Sequence, residues 1–138
     1  MPTSSPDPTD GLHHVELWTH NLERTGASFG WLLETLGWRV ERIEGWAGRI
    51  WRRDRGPYLV LEQSADVRGT RHERTAPGLN HLALTCQDRE MLDRLRAEAS
   101  AHGWREMFRE TYPHAGGADH TAWYAENDEG FEVEVVAG

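Results

Sequence analysis

The chain of 138 residues has a single cysteine, Cys86, and no lysine at all among its 15 basic residues. One thiol excludes an intrachain disulfide and a cysteine-rich zinc site. The missing lysines point to compositional bias, because no single site requires every lysine to be replaced by arginine. No apolar stretch approaches the roughly 20 residues of a membrane-spanning helix, so no membrane partner is expected. Basic runs are absent too: 15 basic residues stand against 23 acidic ones, a net charge of −8, which argues against a nucleic-acid partner. Residues 1–10 are rich in Pro, Ser, Thr and Asp. They lack the basic end and apolar segment of a leader, so the expectation is a frayed tail on a cytoplasmic protein. The remaining length suits one domain with its own core.

That remainder holds an internal repeat. Gly11-Leu12-His13-His14-Val15-Glu16-Leu17 resembles Gly78-Leu79-Asn80-His81-Leu82-Ala83-Leu84, which makes His81 the counterpart of His14. Gly37-Trp38-Arg39 recurs as Gly103-Trp104-Arg105, and Leu59-Val60-Leu61-Glu62 resembles Phe131-Glu132-Val133-Glu134. The spacing between copies is nearly the same for all three pairs, so the chain reads as two related halves. Duplicated modules of this length are the first thing to seek in a sequence. In each half an alternating strand (12–19, 79–86) precedes a helix with apolar residues at helical spacing. These are Phe29, Leu32, Leu33 and Leu36 in the first half, and Met91, Leu92, Leu95 and Ala99 in the second. Asn21 and Asp88 are placed to cap them, and Gly37 and Gly103 to end them. Three short strands follow in each half, at 38–45, 48–53 and 57–63, then near 104–111, 120–126 and 131–136. The expected class is α+β: two βαβββ modules, 11–63 and 78–137, with a polar connector 64–77.

Strand parity sorts the polar residues. His14 lies opposite Val15 and Leu17, His81 opposite Leu82 and Leu84, Glu134 opposite Phe131, Val133 and Val135, and Glu62 opposite Leu59, Leu61 and Gln63. All four polar side chains are expected to point away from the helices. Two imidazoles and two carboxylates form an N/O donor set for one divalent ion: zinc, nickel, cobalt, manganese or iron(II). A bulge would put Gln63 in the place of Glu62. Glu132, His13, His20, His72 and His102 are taken as surface or packing residues. Most of the tryptophans belong to the core or an interface, with Trp18 and Trp51 as candidates for a cavity wall.

These residues carry a family likeness. The L-H-H-V of 12–15, the G-L-N-H-L-A-L of 78–84 and the N-D-E-G-F-E-V-E of 127–134 resemble the vicinal oxygen chelate superfamily, the glyoxalase, bleomycin-resistance and extradiol-dioxygenase group, over residues 11–137. Gly130 and Glu134 keep the spacing of the family's closing motif D-P-D-G-x-x-x-E, although Asp128 stands where proline is usual. The resemblance implies paired βαβββ modules forming a cup-shaped half-barrel around a metal. It places ligands at His14, His81 and Glu134, with Glu62 as the fourth ligand of glyoxalase I-like members. It also implies a homodimer.

The favoured activity is that of a metal-dependent isomerase or lyase of glyoxalase type. It would act on a small substrate chelated through vicinal oxygens, with Glu134 or Glu62 taking a proton. Two alternatives stay open: an Fe(II) extradiol dioxygenase, and a metal-free binding protein like those of bleomycin resistance. Tyr124 stands where the extradiol signature Y-x-x-N-D-x-G-x-x-x-E has its tyrosine. His114 and His120, in a loop made mobile by Gly116-Gly117, are further catalytic candidates. Gly26-Ala27-Ser28-Phe29-Gly30 matches the G-x-S-x-G nucleophile pattern, but it falls inside a predicted helix where no strand-to-helix elbow can form.

Overall fold

A computed structural model describes residues 11–138; the tail expected at 1–10 lies outside the described residues. The elements run β1 (His14–Trp18), α1 (Leu22–Thr35), β2 (Arg39–Glu41), β3 (Gly48–Arg52), β4 (Tyr58–Glu62), β5 (Leu82–Cys86), α2 (Arg89–Glu98), β6 (Trp104–Met107), β7 (Ala122–Asn127) and β8 (Glu132–Ala137), with short 3-10 turns at Ala99–His102 and Arg109–Thr111. The chain divides into two compact units at Thr70/Arg71, inside the polar connector. Each is one βαβββ module with a four-stranded sheet, ordered β1-β4-β3-β2 in the first and β5-β8-β7-β6 in the second. In both sheets the opening strand runs parallel to the last strand and the other pairs are antiparallel. The class is α+β.

In the first unit Asn21 caps α1, its Oδ1 accepting from Arg24 N at 3.0 Å. The Gln63 side chain accepts from Leu22 N at 2.8 Å, tying the end of β4 to the start of the helix. This assigns Gln63 to the helix face. Leu17, Phe29, Leu32, Leu33, Trp51, Leu59 and Leu61 fill the space between helix and sheet. Trp51 is 1% exposed and its indole N–H donates to Glu34 of α1 at 3.3 Å, so it is core and not a cavity wall. Trp18 is exposed and donates to Glu16. Ser28 is buried within α1 and its hydroxyl donates to the Thr25 carbonyl, as i,i−3 geometry allows; the G-x-S-x-G stretch forms no elbow. Strand β2 is shorter than expected because a turn between Ile43 and Trp46 interrupts it.

In the second unit Asp88 caps α2 through Met91 N at 2.9 Å. The core is Leu84, Leu92, Leu95, Trp104, Trp123, Val133 and Val135. The expected long strand 104–111 stops at Met107, because Phe108 takes a left-handed backbone (φ 57°, ψ 39°) and opens a 3-10 turn. The part of the connector from Arg71 onward belongs to this unit. His72 stacks on Phe131 with centroids 4.7 Å apart, and its backbone N–H donates to the Glu129 carbonyl. Gly130 has φ 91°, and a Cβ there would lie 2.6 Å from the His72 carbonyl oxygen. The motif glycine is therefore needed both for its backbone and for this close approach.

Candidate functional site

Glu134 gathers the polar groups of the second unit. On β8 it faces Tyr124 across β7 and Ala83 across β5. His81, just before β5, donates from Nε2 to Glu134 Oε1 at 3.0 Å. His120 donates from Nε2 to the other carboxylate oxygen, and Tyr124 adds a hydrogen bond from its phenol. The Glu134 side chain is 8% exposed, against 34% for His81 and 39% for His120. Burial pushes the Glu134 carboxyl up, but hydrogen bonds from His120, Tyr124 and His81 outweigh it and hold it below the usual carboxylate range. Burial, then the charge of Glu134, pushes the Tyr124 phenol up.

His120 reaches Glu134 because its loop is fastened at both ends. Tyr112 donates to Asp93 of α2 at 2.6 Å and lies under the Arg96 guanidinium, 4.1 Å from the ring centroid. Ala122 N–H donates to the Pro113 carbonyl at 2.8 Å. Inside the loop His120 N–H donates to the Gly117 carbonyl, and His114 Nδ1–H donates to the His120 carbonyl at 3.2 Å. His114 is thus a clasp of the loop, and it makes no hydrogen bond to Glu134. Gly116 packs directly on the cluster: a Cβ there would lie 2.5 Å from His120 Cδ2 and 2.8 Å from the Tyr124 hydroxyl.

Two neighbours of the cluster escape a reading by strand parity. Asn80 Oδ1 accepts from His81 Nδ1 at 2.8 Å, while its amide donates to the Arg74 carbonyl. This fixes the ring and leaves Nε2 turned to Glu134. The first unit has a similar device, His13 Nδ1 lying 2.8 Å from His14 Nδ1. The one sequence signal for it is the polar residue that precedes each repeat histidine. The second neighbour is Glu132, expected to face water. It is 5% exposed and paired with Arg74 Nη1 at 3.3 Å. The connector arginine covers it, and burial raises its carboxyl despite that partner.

In the first unit His14 stacks on Tyr58, centroids 4.8 Å apart, with the Arg52 guanidinium 4.3 Å from the same ring centroid. The register corrects one expectation. Glu134 faces Ala83, two residues after His81; two residues after His14 is Glu16, which faces Val60. Val60, not Glu62, is the counterpart of Glu134. Glu62 pairs with Trp18, about 7 Å further along the strand. Among the described residues no group of three or more His, Cys, Asp or Glu side chains is arranged to hold a metal ion. The Glu134 cluster is instead a hydrogen-bonded set of two imidazoles, a phenol and a carboxylate, whose imidazole and carboxylate groups are donor types that N/O-preferring divalent ions take.

Residues 13–124 match the model of the Glyoxalase/Bleomycin resistance protein/Dioxygenase superfamily. The chain belongs to this superfamily. It is 31% identical over 127 residues to the uncharacterized protein YqjT of Bacillus subtilis strain 168, covering 91% of this chain and 98% of that protein. Its fold is similar to that of a candidate glyoxalase from Bacillus halodurans, with 32% identity, a TM-score of 0.82, and coverage of 93% and 96% of the two chains. A mutant of the fosfomycin resistance protein FosX from Listeria monocytogenes, crystallised with Mn(II) and a dihydroxypropylphosphonic acid, shares the superfamily fold at 16% identity. Its TM-score is 0.59, with 93% and 90% covered. Among the described residues no helix is long and apolar enough to cross a membrane.

Proposed function

We propose that this superfamily member is a metal-dependent enzyme of glyoxalase type, an isomerase or lyase acting on a small substrate held through two neighbouring oxygens. The observation that carries the reading is the buried Glu134 carboxylate, bridged by His81 Nε2 and His120 Nε2 and hydrogen-bonded by Tyr124. The proposed metal donors are His81 Nε2 and Glu134. A divalent ion held there would polarise a chelated oxygen and stabilise the negative charge developing on it. The chain's own groups supply the rest. Asn80 holds the His81 ring in place, leaving Nε2 as the nitrogen that can exchange its proton for a cation. Tyr124 and His120 keep Glu134 oriented. His120, at the more exposed end of the cluster, can hold a proton at Nε2 and pass it to or from a substrate carbon or oxygen.

One observation favours a second reading. Tyr124, hydrogen-bonded to Glu134, stands beside one carboxylate and two imidazoles, the donor types that ring-cleaving Fe(II) dioxygenases use while keeping three positions open. Metal analysis of tag-free protein, combined with oxygen-electrode assays on catechols, separates the two. Manganese, nickel, zinc or cobalt without oxygen uptake supports the isomerase or lyase, and iron with oxygen uptake supports the dioxygenase. Purification without any metal, with small-molecule binding retained, refutes both. A cytoplasmic homodimer completes the proposal, to be checked by sedimentation at micromolar concentration.

A further inference from the structure

Phe108 is a bulky residue in the left-handed region, with φ 57° and ψ 39°, where a side chain with a Cβ is strained. The turn it opens holds it there: its carbonyl accepts from Thr111 N at 3.2 Å and from Thr111 Oγ1 at 3.1 Å. This backbone places the ring between solvent and the cluster. The ring is 50% exposed, while one edge meets the Tyr124 ring with centroids 5.3 Å apart and planes at 87°. Tyr124 is the residue whose phenol bonds Glu134. Met107 pairs with Tyr124 across the sheet, so the chain turns left-handed immediately after it reaches the level of the cluster. Strain at a position that exposes an aromatic ring beside a polar cluster is the pattern of a ligand contact.

We infer that Phe108 is a specificity-determining residue. Its ring forms an apolar wall beside the Glu134 cluster and selects substrates that carry an aromatic or flat apolar group next to the two oxygens the cluster receives. The inference rests on the metal-dependent reading above. It adds a substrate class: planar, ring-bearing molecules rather than short aliphatic ones. Phe108 acts by contact with the apolar part of the substrate and takes no part in moving protons.

Two probes test it, acetohydroxamate and benzohydroxamate. Both chelate through the same pair of oxygens, and they differ by the ring. Their affinities for the full chain loaded with Mn(II) are measured by calorimetry and corrected for their affinities for free Mn(II). The parent should bind benzohydroxamate roughly tenfold more tightly. Phe108→Ala should lose most of that preference while its affinity for acetohydroxamate stays within about twofold, and Phe108→Leu should keep part of it. The side chain is half-exposed, so the variants are expected to fold, which circular dichroism checks. Equal affinity of the parent for both probes, or a preference that survives in Phe108→Ala, overturns the inference and leaves the metal reading standing. Binding of neither probe by the parent overturns the metal reading and the inference with it.

Discussion

Replacing Gly116 with alanine tests how tightly the loop is fitted to the cluster. The added Cβ would sit 2.5 Å from His120 Cδ2 and 2.8 Å from the Tyr124 hydroxyl, where an ordinary contact begins at 3.4 Å. One of the partners, or the loop, must give by about 0.6–0.9 Å. Overpacking of this kind costs about 1–3 kcal/mol, and the exposed loop places Gly116 at the lower end. If His120 or Tyr124 swings away, Glu134 also loses a hydrogen bond to a charged group, worth about 1.5–3 kcal/mol. A loss of about 1 kcal/mol from the overlap alone, or about 2.5–4 kcal/mol if a partner also swings away, should lower the melting temperature by roughly 3–4 °C per kcal/mol in a domain of this size. The proposed metal affinity should fall by about tenfold, since displacing partners that orient a ligand typically costs that much. Thermal unfolding by circular dichroism and Mn(II) titration by calorimetry read the two effects. A Gly116→Ala protein with unchanged melting temperature and unchanged Mn(II) affinity would refute the fitted loop.

Gln63→Ala should lower stability by about 1 kcal/mol in urea unfolding, because Leu22 N loses its capping acceptor; no change would place Gln63 off the helix face. Tyr112 has its phenol pushed up to about 12, first by burial and then by its bond to Asp93. The raised value makes its contribution fully present below the usual 10 and lost as pH rises through about 12. Ultraviolet titration should therefore show a tyrosine ionising near pH 12 that disappears in Tyr112→Phe. Ionisation of every tyrosine near pH 10 would contradict the loop anchor. Glu134 has its carboxyl held below the usual value, so its contribution is present above that value and lost as pH falls through the lowered one. Glu134→Gln should flatten the acid limb of the stability profile, and an acid limb identical to the parent's would count against the cluster.

Most of the fold is legible in the sequence because the repeat and the caps are local signals. Asn21 and Asp88 bond where capping chemistry puts them, and the alternation around His81 and Glu134 survives in the register. The misplaced residue, Glu62, shows why the rest is not. Aligning the halves by their glutamates assumes equal loop lengths, whereas the register is set by backbone pairing and moves the counterpart to Val60. Glu132 reads as solvent-facing because nothing in β8 names its partner; Arg74 reaches it from the connector, far earlier in the chain. His120 and His114 cannot be told apart by spacing. Only the return of the loop, fixed by the Ala122 to Pro113 hydrogen bond and the Tyr112 anchor, turns one to Glu134 and makes the other a clasp. The left-handed Phe108 has no signal at all, since the strand pattern continues through it in the sequence.

Titration with Mn(II) of the parent and of His81→Ala, Glu134→Ala and Glu62→Gln tests the proposed metal centre most directly. The expected result is about one ion per chain for the parent, loss of most affinity in the first two variants, and affinity within a few-fold of the parent in Glu62→Gln. A His81→Ala protein that binds Mn(II) as the parent does, or a Glu62→Gln protein that loses it, would contradict the proposed centre.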